Sequence, residues 1–370
     1  MVDEVFWGDA WQVAAARIRR GQVSRRDALA ALSVLAGATA LARGAEAQTA
    51  RPRELVLANW GGDAVRAMEE AFGKPFEADT GVEVSVDSSG PSLARIRAMV
   101  ESGRTVWDVC DSGAGTSFIL GRAGLLERMD YTIIDRRSIP EAFALEWCTG
   151  TSAYSTVIAW DSARLGEGPR NWAEFWDFAR FPGMRTLRRS MHAVLEAALM
   201  ADGVPPEQVF PIDVERALAK VRELRGRVIW WTSGAQSQDL LRTGEVTAGA
   251  IWSTRARLLG EETRGRIRYR WDQGLVHAGV WNVPKNPPAG RDWAMRFVNS
   301  TIIPERQIAL LKLLGTGPAN PAAAPLVPPE LVPHNPTDPA NLARQVLTDE
   351  TWYADHYATV VERFNEVIAS

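Results

Sequence analysis

Cysteine is close to absent here. The chain has two, Cys110 and Cys148, among 370 residues, too few for a disulfide framework and at no metal-ligand spacing. One disulfide or two buried thiols both remain open. The four histidines, His192, His277, His334 and His356, are too scattered for a metal pair on a helix or hairpin, and five tyrosines are few for a ferric-ion or anion site. No charge of one sign dominates: 42 basic against 45 acidic residues leave a net of -3, which offers nucleic acid no attractive field. No apolar run reaches the roughly 20 residues of a membrane span. The G-x-x-x-x-G-K-[ST], H-E-x-x-H and G-x-S-x-G patterns are all missing. Neither metal nor cofactor is expected.

What is present is the composition of a globular protein, 46% apolar and 24% charged. The length exceeds one ordinary core and implies two lobes. Fifteen tryptophans are an excess. Their flat apolar faces serve in cores or in stacking on ligands and cations.

The amino terminus carries an address. Ser24-Arg25-Arg26 stands directly before the apolar run from Ala28 to Ala42, with Arg17, Arg19 and Arg20 upstream. Ala45-Glu46-Ala47 then supplies the small residues a signal peptidase needs, so residues 1–47 read as an export signal of the twin-arginine type and Gln48 as the mature start.

Beyond it, apolar patterns alternate between the periods of strand and helix. Leu55 to Ala58 is a strand ending at Asn59-Trp60-Gly61-Gly62-Asp63, followed by a helical stripe of Val65, Met68 and Phe72. The unit recurs with Val82, Val84 and Val86 before Ser88-Ser89-Gly90-Pro91, and with Trp107 to Asp111 before Ser112-Gly113-Ala114-Gly115. Such alternation implies a parallel sheet, whose strand ends bring Trp60, Ser89 and Ser112 to one edge. Thr156 to Trp160, Arg227 to Trp231, Ala248 to Trp252 and Ile267 to Trp271 predict a second sheet. Eight prolines between Gly315 and Pro339 predict an extended, stiff tail leading to a terminal helix over 349–368.

Several segments, in order, resemble the periplasmic polyamine-binding proteins of the spermidine and putrescine type, the solute-binding components of ABC importers. They are Asn59-Trp60, Phe76-Glu77-Ala78-Asp79-Thr80-Gly81-Val82, Trp107-Asp108-Val109, Gly124-Leu125-Leu126-Glu127, Trp230 to Gln236, Gly244-Glu245-Val246 and Ala250-Ile251-Trp252. The resemblance implies an α/β, two-lobed periplasmic-binding-protein fold of type II, with one ligand between lobes joined by hinge crossings. The crossings fall near Tyr154, Val276 and Gly317. Lobe 1 is then 52–154 plus 277–317, and lobe 2 is 155–276 plus 318–370. A monomer is expected, with a small-molecule ligand and a cognate permease in the inner membrane as partners.

The ligand residues the resemblance implies are Trp60, Ser89, Asp111 or Ser112, Trp231, Trp252 and His277, with Arg189 or Ser190 and Gly279 where polyamine binders carry acids. Those acids are missing, and Arg188 with Arg189 offers forked donors suited to a carboxylate instead. An anionic end follows for the ligand, as in an amino acid, an aminobutyrate-like zwitterion or an organic acid. Its amine would stack on Trp60 or Trp252 and bond to Asp63 or Asp111. Each residue also has a plainer use: Asp63 as a helix cap, Asp111 in a turn, Trp252 in packing, Arg188 and Arg189 as solvated arginines. Trp230 and Trp231 alternate faces, so at most one can meet the ligand. The rival function is an enzyme on the same fold with Cys110 as nucleophile, in the manner of thiaminases. It lacks a nearby histidine, and Asp111 beside it would raise the thiol's pKa.

Overall fold

The computed structural model describes residues 51–369; the expected export signal at residues 1–47 lies outside them. The strands are β1 (Glu54–Ala58), β2 (Glu83–Asp87), β3 (Val109–Gly113), β4 (Thr149–Asp161), β5 (Arg185–Arg188), β6 (Val228–Trp231), β7 (Ala248–Trp252), β8 (Ile267–Asn282), β9 (Gly317–Pro318) and β10 (Val346–Leu347). They form one sheet in the order β2-β1-β3-β8-β4-β7-β5-β6, with β9 added to β4 and β10 to β8.

The expectation of two sheets is thereby corrected. Ile267 to Trp271 and Val280 to Val283 look like separate strands because their apolar patterns are separated by the polar stretch at Asp272 and Gln273. All but Val283 belong to one strand, β8, whose 16 residues run antiparallel to the 13 of β4. At one end of this long pair β3 joins β8, and at the other β7 joins β4. Two strands passing straight through both halves merge what would otherwise be two sheets.

The outer strands are parallel, as the alternating pattern requires: β1 with β2 and β3, β5 with β6 and β7. Apolar cores gather on either side of the long pair. One joins Leu55, Phe72, Phe76, Trp281 and Phe297; the other joins Trp172, Phe175, Leu195, Leu218 and the terminal-helix residues Tyr353 and Phe364.

The proline-rich segment does not run extended. It coils into two 3-10 turns, Pro321–Leu326 and Pro329–His334, each with a proline in its first positions, where the missing N–H would have no partner anyway. Ala323 and Leu331 pack against Ile308 and Leu311. The terminal helix spans Glu350–Ala369, one residue from its predicted limits.

Candidate functional site

A cavity of about 280 Å³ lies where the carboxyl ends of β1, β3, β5 and β7 face one another across the β4–β8 pair. Trp60 follows β1 and Asp111 and Ser112 close β3. Arg188 ends β5 and Trp252 ends β7; all five line the cavity.

Trp60 is held by its neighbours. Buried Asn59 accepts the Gly61 N–H at 3.0 Å through Oδ1 and donates to the Asp111 carboxylate at 3.0 Å. The indole Nε1 of Trp60 donates to the Asp111 carbonyl, also at 3.0 Å. Gly61 and Gly62, both at positive φ, let the chain turn away, and a Cβ on Gly62 would stand 3.2 Å from Arg255 Nη1.

Three tryptophans surround the Arg188 guanidinium. Its carbon lies 5.5 Å from the Trp60 ring centre, 5.1 Å from Trp252 and 5.8 Å from Trp231. Trp252 meets the other two rings edge-on, at 5.0 Å to Trp231 and 6.4 Å to Trp60. Cation–π attraction to three faces fixes the cation without neutralising it. Among the described residues the guanidinium has no hydrogen-bond acceptor and no carboxylate partner. Burial lowers its pKa from the usual arginine value, with Tyr154 and Glu350 pulling the other way.

The rest of the wall brings together aromatic, acidic and basic groups. Tyr154 meets His277 at 5.2 Å with the rings tilted by 31°, and meets Trp252 edge-on at 5.9 Å. His277 Nε2 is 3.1 Å from the Thr156 hydroxyl, and its Nδ1 is 3.9 Å from Glu350 Oε1. Glu350, first residue of the terminal helix, accepts the Gly115 N–H at 3.0 Å and the Thr348 hydroxyl at 3.1 Å. Burial opposes its ionisation, yet the facing His277 and the Gly115 amide hold the carboxyl down at about 2. Asp111 is the reverse: burial pushes it up to about 7 against the pull of Arg255. Burial holds the His192 imidazole at about 4.

Of the ten residues singled out from sequence, seven line this cavity: Trp60, Asp111, Ser112, Arg188, Arg189, Trp252 and His277. Arg189 does so from an exposed position. Trp231, Asp63 and Ser89 do not. Trp231 is fully buried under Trp252, its Nε1 donating to the Ala250 carbonyl at 3.0 Å, so it forms the floor of the arginine cage. Asp63 turns outward, 3.8 Å from Arg255 and accepting from Gln238 at 3.4 Å. Ser89 is exposed, and Pro91, Ser92 and Leu93 occupy the cavity side of that loop.

Tyr154, His192, Arg255 and Glu350 also line the cavity and escaped the sequence reading. Tyr154 had at most a weak signal: it shares a strand face with Ser152 and Thr156, but Thr151 and Ser155 on the other face are polar too. Glu350 had none, since it meets Gly115 across 235 residues.

Cys110 and Cys148 are free and buried, and neither lines the cavity. Burial pushes the Cys110 thiol well up, and Asp111, Asp108 and Asp87 push it further. Among the described residues no group of three or more His, Cys, Asp or Glu is placed to hold a metal, and no helix is long and apolar enough to cross a membrane.

A family model described as bacterial extracellular solute-binding protein matches residues 71–340. The chain is 31% identical over 329 residues to a gamma-aminobutyric acid-binding protein of Pseudomonas aeruginosa, spanning 87% of this chain and 92% of the relative. Among solved structures, an ABC transporter substrate-binding protein from Bradyrhizobium japonicum is similar with a TM-score of 0.79 and 32% identity, covering 85% of this chain and 99% of that one. A periplasmic binding protein from A. tumefaciens R10 in complex with agropinic acid is similar with a TM-score of 0.81 and 29% identity, covering 86% and 99%.

Proposed function

The chain belongs to the bacterial extracellular solute-binding protein family and is the substrate-binding component of an ABC importer; from that premise we propose that its cargo is a small metabolite with a carboxylate end, gripped by Arg188. The observation that carries this reading is the caged guanidinium, half-buried, facing the cavity and without an acid of its own. A buried charge needs a partner, and a carboxylate meets arginine through two parallel charge-assisted hydrogen bonds. The similar proteins named for gamma-aminobutyric acid and agropinic acid support the choice of an acid.

In the same proposal the protein leaves the cytoplasm by the twin-arginine route, its signal ending at Ala47. It binds without turnover, because Cys110 is buried away from the cavity with a raised thiol pKa. Residues 52–154 with 277–317, and 155–276 with 318–370, act as two lobes hinged at the crossing strands. The separate apolar cores support that division.

Calorimetric titration with 4-aminobutyrate, α-amino acids, spermidine, putrescine and organic acids tests the reading. One acid-bearing compound is expected to bind at one site and quench tryptophan fluorescence. Arg188→Gln is expected to weaken it by about 10- to 100-fold, the worth of hydrogen bonds to a charged group. Binding of polyamines alone would sink the reading.

A further inference from the structure

The two proposed halves meet through polar bridges of two kinds. Some stand beside a crossing. Arg257 donates to the Lys312 carbonyl at 3.1 Å, at the end of the helix Pro304–Leu314 that leads into the crossing near Gly317. Glu350 reaches Gly115 from a segment that Thr348 ties to the Val276 carbonyl at 2.8 Å, beside another crossing. A contact next to a hinge has a short lever arm and changes little when the halves swing apart.

Arg255 stands elsewhere. It belongs to the helix Ser253–Glu262, after β7 in one half, and its Nη2 donates to the Gly61 carbonyl at 2.9 Å, beyond β1 in the other. β3 separates β1 from the long β4–β8 pair, so this bridge lies off the crossings. Asp63 is 3.8 Å from Nη1 and also accepts from Gln238, in the helix Gly234–Thr243, at 3.4 Å. Both of these partners come from the half opposite Asp63.

The seat of the guanidinium is cut from both halves. A Cβ on Gly62 would stand 3.2 Å from Nη1, and one on Gly234 only 2.6 Å from Nε. Arg255 is 2% exposed, and its Nε and Nη1 find no hydrogen-bond acceptor. Held so permanently, the charge would bear the cost of dehydration for a single carbonyl bond. A guanidinium whose outer nitrogens return to water whenever the halves part bears it only while they are shut. Arg255 also lines the cavity, and the Gly61 it grips follows Trp60, which lies against Arg188. Resting on the hinge reading, we propose that Arg255 is the clasp of the closed form: a positioning residue whose bond to Gly61 draws the Trp60 loop onto the opposite half and sets how long cargo is held.

Stopped-flow tryptophan fluorescence with 4-aminobutyrate as the probe tests this on the parent, Arg255→Met and Arg255→Lys. Methionine keeps the bulk and removes every donor. Its release rate is expected to rise about 10- to 100-fold, the worth of a hydrogen bond to a charged group, with association within about threefold of the parent, as is usual when a contact forms after encounter. Lysine still donates and is expected to recover part of the loss. The melting temperature of the cargo-free protein is expected to stay where it is in Arg255→Met and to fall in Arg257→Met, whose bridge persists in the open form. An unchanged release rate overturns the proposal, and so does an equal fall in both cargo-free melting temperatures, which would make Arg255 a static brace. Small-angle scattering separates the two readings. If the parent contracts with the probe but Arg255→Met releases it at the parental rate, the clasp fails and the hinge stands; if the parent does not contract, the hinge fails and the clasp with it. Should Arg255→Met fail to fold, Asp63→Asn decides, since that half-exposed side chain spares the core: release about threefold faster is expected from loss of a partly exposed ion pair, and an unchanged rate overturns the proposal.

Discussion

Arg188 shows how much of a residue's role depends on its neighbours. Its type alone announces a carboxylate partner, but a solvated surface arginine has the same type. Trp60, Trp231 and Trp252 make the difference by holding the guanidinium in place at the cavity wall. Buried Glu196 does not line the cavity. Its Oε2 accepts the Tyr353 hydroxyl at 2.6 Å, its Oε1 has no partner, and burial moves the carboxyl from 4.5 to about 7. A raised acid binds its proton more tightly in the folded chain, so the stability it contributes is fully present below pH 4.5 and is lost as pH rises through 7. Glu196→Gln should therefore gain on the parent across that window, by up to about 3 kcal/mol from the size of the shift. Urea unfolding at pH 5 and pH 8 measures the difference, and a gap that does not widen counts against the assignment. Cys110→Ala should leave ligand affinity within about twofold, since the thiol does not reach the cavity.

At the scale of elements, the terminal helix Glu350–Ala369 has two jobs. Trp352, Tyr353, Val360 and Phe364 bury themselves in the core around Trp172 and Leu195, while Glu350 at its first turn reaches Gly115 and Arg122 pairs with Asp355 at 2.6 Å. Phe364→Ala should cost about 3–5 kcal/mol by opening a cavity, seen as a lowered melting temperature. Leu347→Ser, at a residue 66% exposed, should cost almost nothing. The helix is legible in the sequence because its apolar spacing repeats every turn. β8 is not legible as one strand because its pattern changes where it passes from one half to the other. The prolines mislead for a related reason: a ring that removes an N–H suits the first position of a 3-10 turn as well as an extended tail.

For the whole molecule the decisive contacts cross between distant segments. Arg255, in the helix Ser253–Glu262, donates to the Gly61 carbonyl at 2.9 Å, and Arg188 from β5 rests on Trp60 beyond β1. If the halves hinge as proposed, small-angle scattering should show the protein contracting when cargo is added. A radius of gyration that does not change would argue against the hinge. Cargo at a hundred times its Kd should also stabilise the fold by about 2.7 kcal/mol through mass action.

The sequence by itself determined the alternation of strands and helices, the loops that end them and, through ordered motifs from Asn59 to Trp252, the kind of protein. These follow from periodicity and short-range chemistry, which a linear chain displays directly. Only the tertiary structure decided which charges stay unpaired. Whether Arg188 faces a carboxylate, whether Trp231 meets the cavity or lies beneath it, and whether Glu350 joins a site far away in the chain all depend on distances set by packing. A buried charge becomes a binding group only when the fold both dehydrates it and withholds its partner.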